Sequence, residues 1–207
     1  MADERDEVGD RIAQLRTGDR RGRCEAAQAL GAHRGAAVVD ALLEALEPEA
    51  DAEENLSGAP PHLCRALGQL ADPRAVELLL RCMARPHLAG PAIGALEAIH
   101  DARAFEPIVS FFERNPASDL ATVLGRWGDR RAVPALLVAL GNPDPHLRFY
   151  AARALGRLGD ERALPALDAA CQADVAPILD TASLRGKSVA DVARVAADRI
   201  RGQHRLP

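Results

Sequence analysis

Four cysteines and six histidines are the side chains in this 207-residue sequence that most readily bind metals or act as nucleophiles. Zinc sites use such residues at short, regular spacings, and a catalytic cysteine needs a histidine base beside it. The cysteines (Cys24, Cys64, Cys82 and Cys171) lie far apart without a C-x-x-C pair, and no histidine begins an H-x-x-x-H motif. We therefore predict no metal and no cofactor, and we interpret the cysteines as free, mostly buried thiols of a reducing cytosol.

Motifs of nucleophilic and phosphate chemistry are also missing. The sequence contains no G-x-S-x-G, no G-x-x-x-x-G-K-[ST] and no G-x-G-x-x-G, which are the patterns that position a serine nucleophile or hold phosphates at a helix N-terminus. We predict no catalytic residue and favour a protein without catalysis of its own. A Cys–His pair assembled only by the fold stays open.

An aspartate and an arginine separated by one residue stand at the same position of four repeated segments. The pairs are Asp72 with Arg74, Asp101 with Arg103, Asp129 with Arg131, and Asp160 with Arg162. Since they recur in step with a longer repeat, we prefer a structural role, in which each Asp caps a helix and each Arg reaches the Asp of the adjacent repeat to form a ladder. The alternative is a charged binding track.

The pairs belong to a thirteen-residue pattern that occurs five times without gaps. Its copies begin at Leu30, Leu67, Leu96, Leu124 and Leu155. A period of about 30 residues in a chain rich in Ala and Leu is typical of stacked helix pairs. Aromatic residues make up only 3% of the chain, whereas a strand-rich fold would use more aromatic and β-branched residues. The sequence predicts an all-α solenoid of about five helix pairs.

The best-defined pair indicates how one repeat is built. Asp144 is suited to cap a helix over residues 145–158, and Gly159 is suited to end it. Asp160 is then placed to cap the second helix. Pro165 lies too deep for the first turn of a helix that begins there. Either the second helix starts late, or a separate short turn precedes it.

We predict one domain over residues 1–207, with a breaker-rich acidic insert at 47–61 that forms a loop and a C-terminal capping helix at 188–201. The predicted repeats span residues 10–47, 60–86, 87–115, 116–142 and 143–174.

The consensus L-G-x-L-G-D-x-R-A-[VL]-P-A-L, closest in the fourth and fifth copies, resembles the HEAT-like repeat of phycobilin lyases. The resemblance covers roughly residues 20–200 and implies an armadillo-like superhelix. Proteins with this repeat include bilin lyases, scaffolds, chaperones, adaptors and an iron hydroxylase. The hydroxylases carry repeated His-Glu dipeptides, and this sequence has none, so the resemblance does not extend to their metal site.

The second helices carry different charges in the two halves of the chain. Positions expected to point outward are acidic or charged in the first three repeats, and neutral or apolar in the last two. The residues predicted to bind a partner are Asp40, Glu44, Glu77, Arg81, Glu106 and Glu113. We expect the second helices to line a concave groove, and such a groove suits a basic or amphipathic segment of another protein. The other interpretation is a solvated face.

We interpret the chain as a bacterial, cytoplasmic scaffold or adaptor that binds another protein. The formal charge of −4 and the pI of about 5.9 argue against nucleic acid. The sequence shows neither a signal peptide at its N-terminus nor an apolar run long enough for a membrane helix. A lyase-like enzyme or chaperone for a tetrapyrrole-bearing protein is the first alternative, and a nucleic-acid-binding protein is the second.

Overall fold

A computed structural model describes residues 2–51, 58–173 and 188–203, and within these ranges it contains twelve α-helices and no strand. The helices are α1 (Ala2–Thr17), α2 (Arg20–Leu30), α3 (Ala36–Ala50), α4 (Pro60–Leu70), α5 (Val76–Met83), α6 (Ala89–Ile99), α7 (Ala102–Arg114), α8 (Ser118–Trp127), α9 (Val133–Leu140), α10 (Pro145–Leu158), α11 (Leu164–Ala173) and α12 (Val189–Gln203). The predicted all-α solenoid is confirmed. None of the helices in the described ranges is both long and apolar enough to cross a membrane.

The chain divides into two compact units, Met1–Pro107 and Ile108–Pro207. In the first unit, α2, α4 and α6 pack side by side as the first helices of their repeats, α3 packs on α5, and α1 packs on both α2 and α3. In the second unit, α8, α10 and α12 form the row of first helices, and α9 lies beside α11. Each unit therefore has two layers of helices around an Ala- and Leu-rich core.

The expected construction of the α10 repeat is confirmed. The side chain of Asp144 accepts a hydrogen bond from the backbone N–H of His146 at 2.9 Å, and α10 ends at Gly159, whose φ of 65° is left-handed. A separate 3₁₀ turn over Glu161–Ala163 precedes α11, so Pro165 stands in the first turn of the later helix. The same turn precedes α5 and α9. Of the two arrangements that the sequence left open, the separate turn is the one observed.

Close contacts between glycine and alanine join the first helices. A Cβ added to Gly68 would lie 2.8 Å from the Cα of Ala95, and one added to Gly125 would lie 2.8 Å from the Cα of Ala154. Real Cβ atoms essentially never come so close to backbone atoms, so the glycine of the repeat motif is required by the distance between the helices.

The C-terminal helix α12 occupies the position of one more first helix. A Cβ added to Gly156 would lie 2.8 Å from the Cα of Ala196. This is the same distance as that between a Cβ added to Gly125 and the Cα of Ala154. Two residues after Ala196, at the position that Gly156 holds after Ala154, stands Asp198, whose side chain is 69% exposed. Helix α12 thus packs on α10 as one more first helix and carries a carboxylate at this position. The capping role expected for this helix stays a prediction.

The N-terminal part of the chain differs from the sequence prediction. Residues before Leu30 form two helices, α1 and α2, which are separated at Gly18 and Asp19. The Asp19 side chain accepts a hydrogen bond from the backbone N–H of Gly22 at 2.8 Å and caps α2. This Gly-Asp step was the signal in the sequence for the break.

The predicted loop at residues 47–61 is shorter than expected at both ends. Helix α3 continues to Ala50 and α4 begins at Pro60, while residues 52–57 lie outside the described ranges. The guanidinium of Arg85 donates to the carbonyl oxygens of Ala50 at 3.2 Å and Asp51 at 3.0 Å. These bonds satisfy carbonyls at the helix end and explain why α3 persists past Pro48.

We expect Gly156→Ala to lower the free energy of unfolding by about 1–3 kcal/mol, because the new methyl group would overpack against the backbone of α12. Urea or thermal unfolding measures the change. The matched control is Gly94→Ala in α6, where an added Cβ meets nothing within 4 Å and higher helix propensity should raise stability by about 0.5–1 kcal/mol. Equal effects at both positions would contradict the close contact.

Candidate functional site

The four aspartate–arginine pairs each close a turn on themselves. Asp72 accepts hydrogen bonds from the backbone N–H of Arg74 at 2.9 Å and from its guanidinium Nε at 3.1 Å. The pairs that begin at Asp101, Asp129 and Asp160 repeat this geometry. The aspartates therefore cap the turns that precede the second helices, or, at Asp101, the helix itself.

These contacts stabilise the charged form of the carboxylates. The hydrogen bonds from Arg103 lower the pKa of Asp101 to about 2, and those from Arg162 lower the pKa of Asp160 to about 2. The pKa values of Asp72 and Asp129 are lowered for the same reason. An ordered guanidinium and a backbone N–H both favour the ionised carboxylate.

The prediction that each arginine reaches the aspartate of the adjacent repeat is wrong for Arg103 and Arg162, whereas Arg74 does reach an aspartate of the preceding repeat, although not one of the four repeated aspartates. Arg74 Nη1 contacts Asp40 at 2.6 Å, Arg103 Nη2 donates to the carbonyl of Pro73 at 2.9 Å, and Arg162 Nη2 donates to that of Arg130 at 3.4 Å. Each guanidinium is already bound to the aspartate of its own turn. In Arg74 a separate nitrogen, Nη1, reaches the neighbouring repeat, whereas in Arg103 and Arg162 Nη2 bonds both the aspartate of its own turn and a carbonyl one repeat away.

The acidic row predicted on the second helices of the first unit is paired with arginines. Asp40 pairs with Arg74, Glu44 pairs with Arg16 at 2.7 Å, and Glu77 lies 3.6 Å from Arg103. Each exposed pair contributes only about 0–1 kcal/mol to stability. Together the pairs interleave positive and negative charge, so this surface is not a continuous acidic track.

The remaining predicted binding residues have different surroundings. Arg81 of α5 bridges Glu47 at 2.6 Å and Asp51, and so holds the end of α3. Glu106 and Glu113 lie exposed on α7. Of the predicted set, Glu113 alone stands beside an apolar groove of the second unit.

This groove, the α7/α9 groove, lies between the end of α7 and α9. It has a volume of about 340 Å³ and is lined by Phe112, Glu113, Pro116, Pro134 and Val138, among others. Val138 is 80% exposed. A single exposed valine is common on protein surfaces, but this one lies beside Phe112 and two prolines in one depression. The groove is therefore an apolar surface that nothing in the described chain covers.

A second depression, the α9/α11 groove, lies on the other side of α9. It has a volume of about 610 Å³, and its floor and walls are mostly alanine and leucine. The lining includes Leu137, Leu140, Arg148, Ala166, Ala169 and Ala170. The small side chains of α11 leave this space open between the two second helices.

The sequence indicates that the second helices α9 and α11 carry few charges, but it does not indicate the two grooves beside α9. The available signal was the run Val133–Leu140, in which every residue except Pro134 is an aliphatic hydrophobe. A helix that is apolar all round is normally buried on every side, so a face of such a helix that stays in contact with water is a candidate binding surface. The contributions of Phe112 and Pro116 from α7 were not visible in the sequence.

Within the described ranges, no three His, Cys, Asp or Glu side chains come together as metal ligands. Cys64 and Cys82 are both fully buried, and Cys24 and Cys171 are half-buried. The thiol of Cys64 contacts that of Cys82, and this hydrogen bond together with burial raises the pKa of Cys64. A buried thiol with a raised pKa is a poor nucleophile.

A stack of helix pairs with an uncovered apolar surface defines the class of α-solenoid repeat proteins, and comparisons with known proteins identify the family. Residues 117–186 match the HEAT repeats model. Residues 22–48 and 65–85 match the PBS lyase HEAT-like repeat model. The chain belongs to the HEAT-repeat proteins and carries repeats of the PBS lyase HEAT-like type.

One similar protein is the phycocyanobilin lyase subunit alpha of Nostoc sp. PCC 7120. It is 32% identical over 164 residues, which cover 69% of this chain and 59% of the relative. The chain thus matches less than two thirds of the relative's length.

Two solved structures are similar in fold. A chain in the complex of CpcE and CpcF of phycocyanin lyase from the same Nostoc strain superposes with a TM-score of 0.61 and 26% identity, covering 84% of this chain and 71% of that one. An engineered protein superposes with a TM-score of 0.56 and 20% identity, covering 95% and 97% of the two chains, and shows the fold alone.

We expect Asp160→Asn to destabilise the protein at neutral pH by a few degrees in melting temperature. The amide can still accept the N–H of Arg162, but it lacks the charge that the guanidinium binds. Because the folded pKa of about 2 lies below the usual value for aspartate, wild type should lose its advantage as the pH falls from about 4 to about 2. Thermal unfolding at several pH values measures this difference.

The control is Asp10→Asn, since Asp10 is exposed on α1. Its difference from wild type should stay small at every pH. A wild-type advantage over Asp160→Asn that does not depend on pH would contradict the charge-based explanation.

Proposed function

We propose that this protein is a non-catalytic subunit or adaptor that binds an amphipathic segment of another protein on the second helices of its second unit. The observation that carries the proposal is the α7/α9 groove, where Val138 is 80% exposed among prolines and Phe112. Exposed apolar surface that is not scattered but collected in a groove is typical of a protein-binding site.

The charge of the two units favours an amphipathic partner over a purely basic one. In the first unit the predicted acidic side chains Asp40, Glu44 and Glu77 already have arginine partners. A basic segment would have to compete with these arginines for the same carboxylates. An apolar side chain entering the α7/α9 groove displaces only water, and burying it contributes about 25 cal/mol per Å².

The similar proteins support a role in an assembly. One is named as a subunit of a lyase, and one similar structure is a complex of two different chains. Repeat arrays commonly act by presenting an extended surface to a partner. We infer that this chain likewise works as one component of a larger complex.

We expect a photo-cross-linking amino acid at position 138 to capture a protein partner in the organism that produces this chain. Val195 on α12 provides a matched control, because it is the other exposed large hydrophobic residue of the described structure, at 66%. Cross-linking at 195 should give no adduct of the same mass, and mass spectrometry of the 138 adduct identifies the partner.

Substitutions test the same surface without a probe. Val138→Asp should abolish co-purification of that partner, while Val195→Asp and the pair Glu77→Arg with Glu106→Arg should leave it unchanged. Circular dichroism should show all variants folded, since the side chains are exposed. Loss of the partner only in the double arginine variant would instead favour the charged surface of the first unit.

A second candidate function is participation in bilin attachment, which the similarity to a phycocyanobilin lyase subunit favours. We expect the chain alone, mixed with phycocyanobilin and apo-phycocyanin, to give no covalent adduct above a sample without protein. The similar protein is named as a subunit, and one similar structure is a complex of two different chains, so we expect any activity of this chain to need a partner. The fluorescence of bilin–protein bands in denaturing gels measures attachment. A clear adduct formed by the chain alone would make it an enzyme.

A further inference from the structure

We propose that the two grooves of the second unit form one site for a single amphipathic helix that inserts two apolar side chains about seven residues apart. The inference rests on the proposed function and specifies the geometry of the partner. Helix α9 separates the two grooves and contributes residues to both, with Pro134 and Val138 on one side and Leu137 and Leu140 on the other. A segment that crosses α9 can therefore enter both grooves at once.

The spacing follows from helix packing. Neighbouring packed helices lie about 8–10 Å apart, and the two grooves flank the same helix, so their centres are separated by about one such distance. An α-helix rises about 1.5 Å per residue, and side chains about seven residues apart return to the same face. Anchors at positions i and i+7 of a helix that crosses α7, α9 and α11 fit both grooves.

The grooves differ in size and in the side chains that form their walls. The α7/α9 groove, at about 340 Å³, is bounded by Pro116 and Pro134, whereas the α9/α11 groove, at about 610 Å³, is walled by the alanines of α11. Either groove is large enough for one side chain, so we place the smaller anchor, a branched aliphatic residue, in the smaller groove and the aromatic anchor in the larger one. Proline and alanine have no rotamer freedom to lose, so binding requires little ordering of this surface.

Charge fixes the direction of the bound helix. Glu113 lines the α7/α9 groove, is exposed, and forms no ion pair within the described ranges. Arg148 lines the α9/α11 groove, where its Nη1 donates to the carbonyl oxygens of Asn142 and Pro143, each at 2.8 Å. A partner helix with a basic residue beside its aliphatic anchor and an acidic residue beside its aromatic anchor complements both grooves.

The test uses designed helical peptides of about 20 residues, long enough to form helix in water. One peptide places Leu and Phe at i and i+7 with Lys beside Leu and Glu beside Phe. A second peptide of identical composition places the anchors at i and i+5, on opposite faces. Fluorescence anisotropy should show the i, i+7 peptide binding at least about tenfold more tightly to the full chain.

Variants of the protein locate the site. Val138→Asp should weaken the i, i+7 peptide about tenfold or more, while Val195→Asp leaves its affinity unchanged. Glu113→Arg should weaken the Lys peptide about two- to fivefold and strengthen a peptide in which Glu replaces that Lys, as expected for an exposed ion pair.

Three outcomes would each overturn the two-anchor site: the two peptides bind with equal affinity, neither peptide binds, or Val138→Asp leaves the affinity for the i, i+7 peptide unchanged. The cross-linking experiment at position 138 tests the proposed function independently of the peptides. A partner captured at 138 without any preference for spacing means that the protein binds there in another geometry, so this inference fails and the proposed function stands. Absence of any adduct from 138 removes the proposed function itself.

Discussion

The contact between a glycine on one first helix and an alanine on the next is the constraint on which the rest of the structure depends. At Gly68, Gly125 and Gly156 the neighbouring backbone lies too close for any Cβ. This distance fixes how tightly the first helices stack in each unit. No such glycine contact joins the second helices α9 and α11, and the small alanines of α11 leave a groove between them. The uncovered surface is thus a consequence of different packing on the two layers.

The turns between the helices order the charges. Each repeated aspartate binds the backbone N–H and the guanidinium of the arginine two residues later. The guanidiniums of Arg74, Arg103 and Arg162 also contact the preceding repeat. In the first unit these outer contacts, together with Arg16 and Arg81, pair most of the acidic side chains of the second helices. Charges that look like a binding surface in the sequence therefore serve largely to connect repeats.

The second unit is different because its second helices carry few charges. Helix α9 is apolar on every side, and with its inner face in the core it still presents Val138 outward. One similar protein is named as a lyase subunit, and the fold does not decide whether this chain has such a role. The second unit presents the exposed side chain of Val138 beside the carboxylate of Glu113, and no three His, Cys, Asp or Glu side chains of the described ranges come together as metal ligands.

The sequence by itself determined the fold class, the position of α10 with its cap at Asp144, and the C-terminal helix, because these depend on local capping chemistry and on a repeated pattern. It did not determine the break between α1 and α2, because the only local signal for that break is the single step Gly18–Asp19. The tertiary structure alone decided that Asp40, Glu44 and Glu77 are paired with arginines, since their partners lie 26–34 residues away in sequence and meet them only through stacking. It also brought Phe112, Pro116 and Val138 to one groove, because the size of a space between helices depends on packing distances that no local pattern encodes.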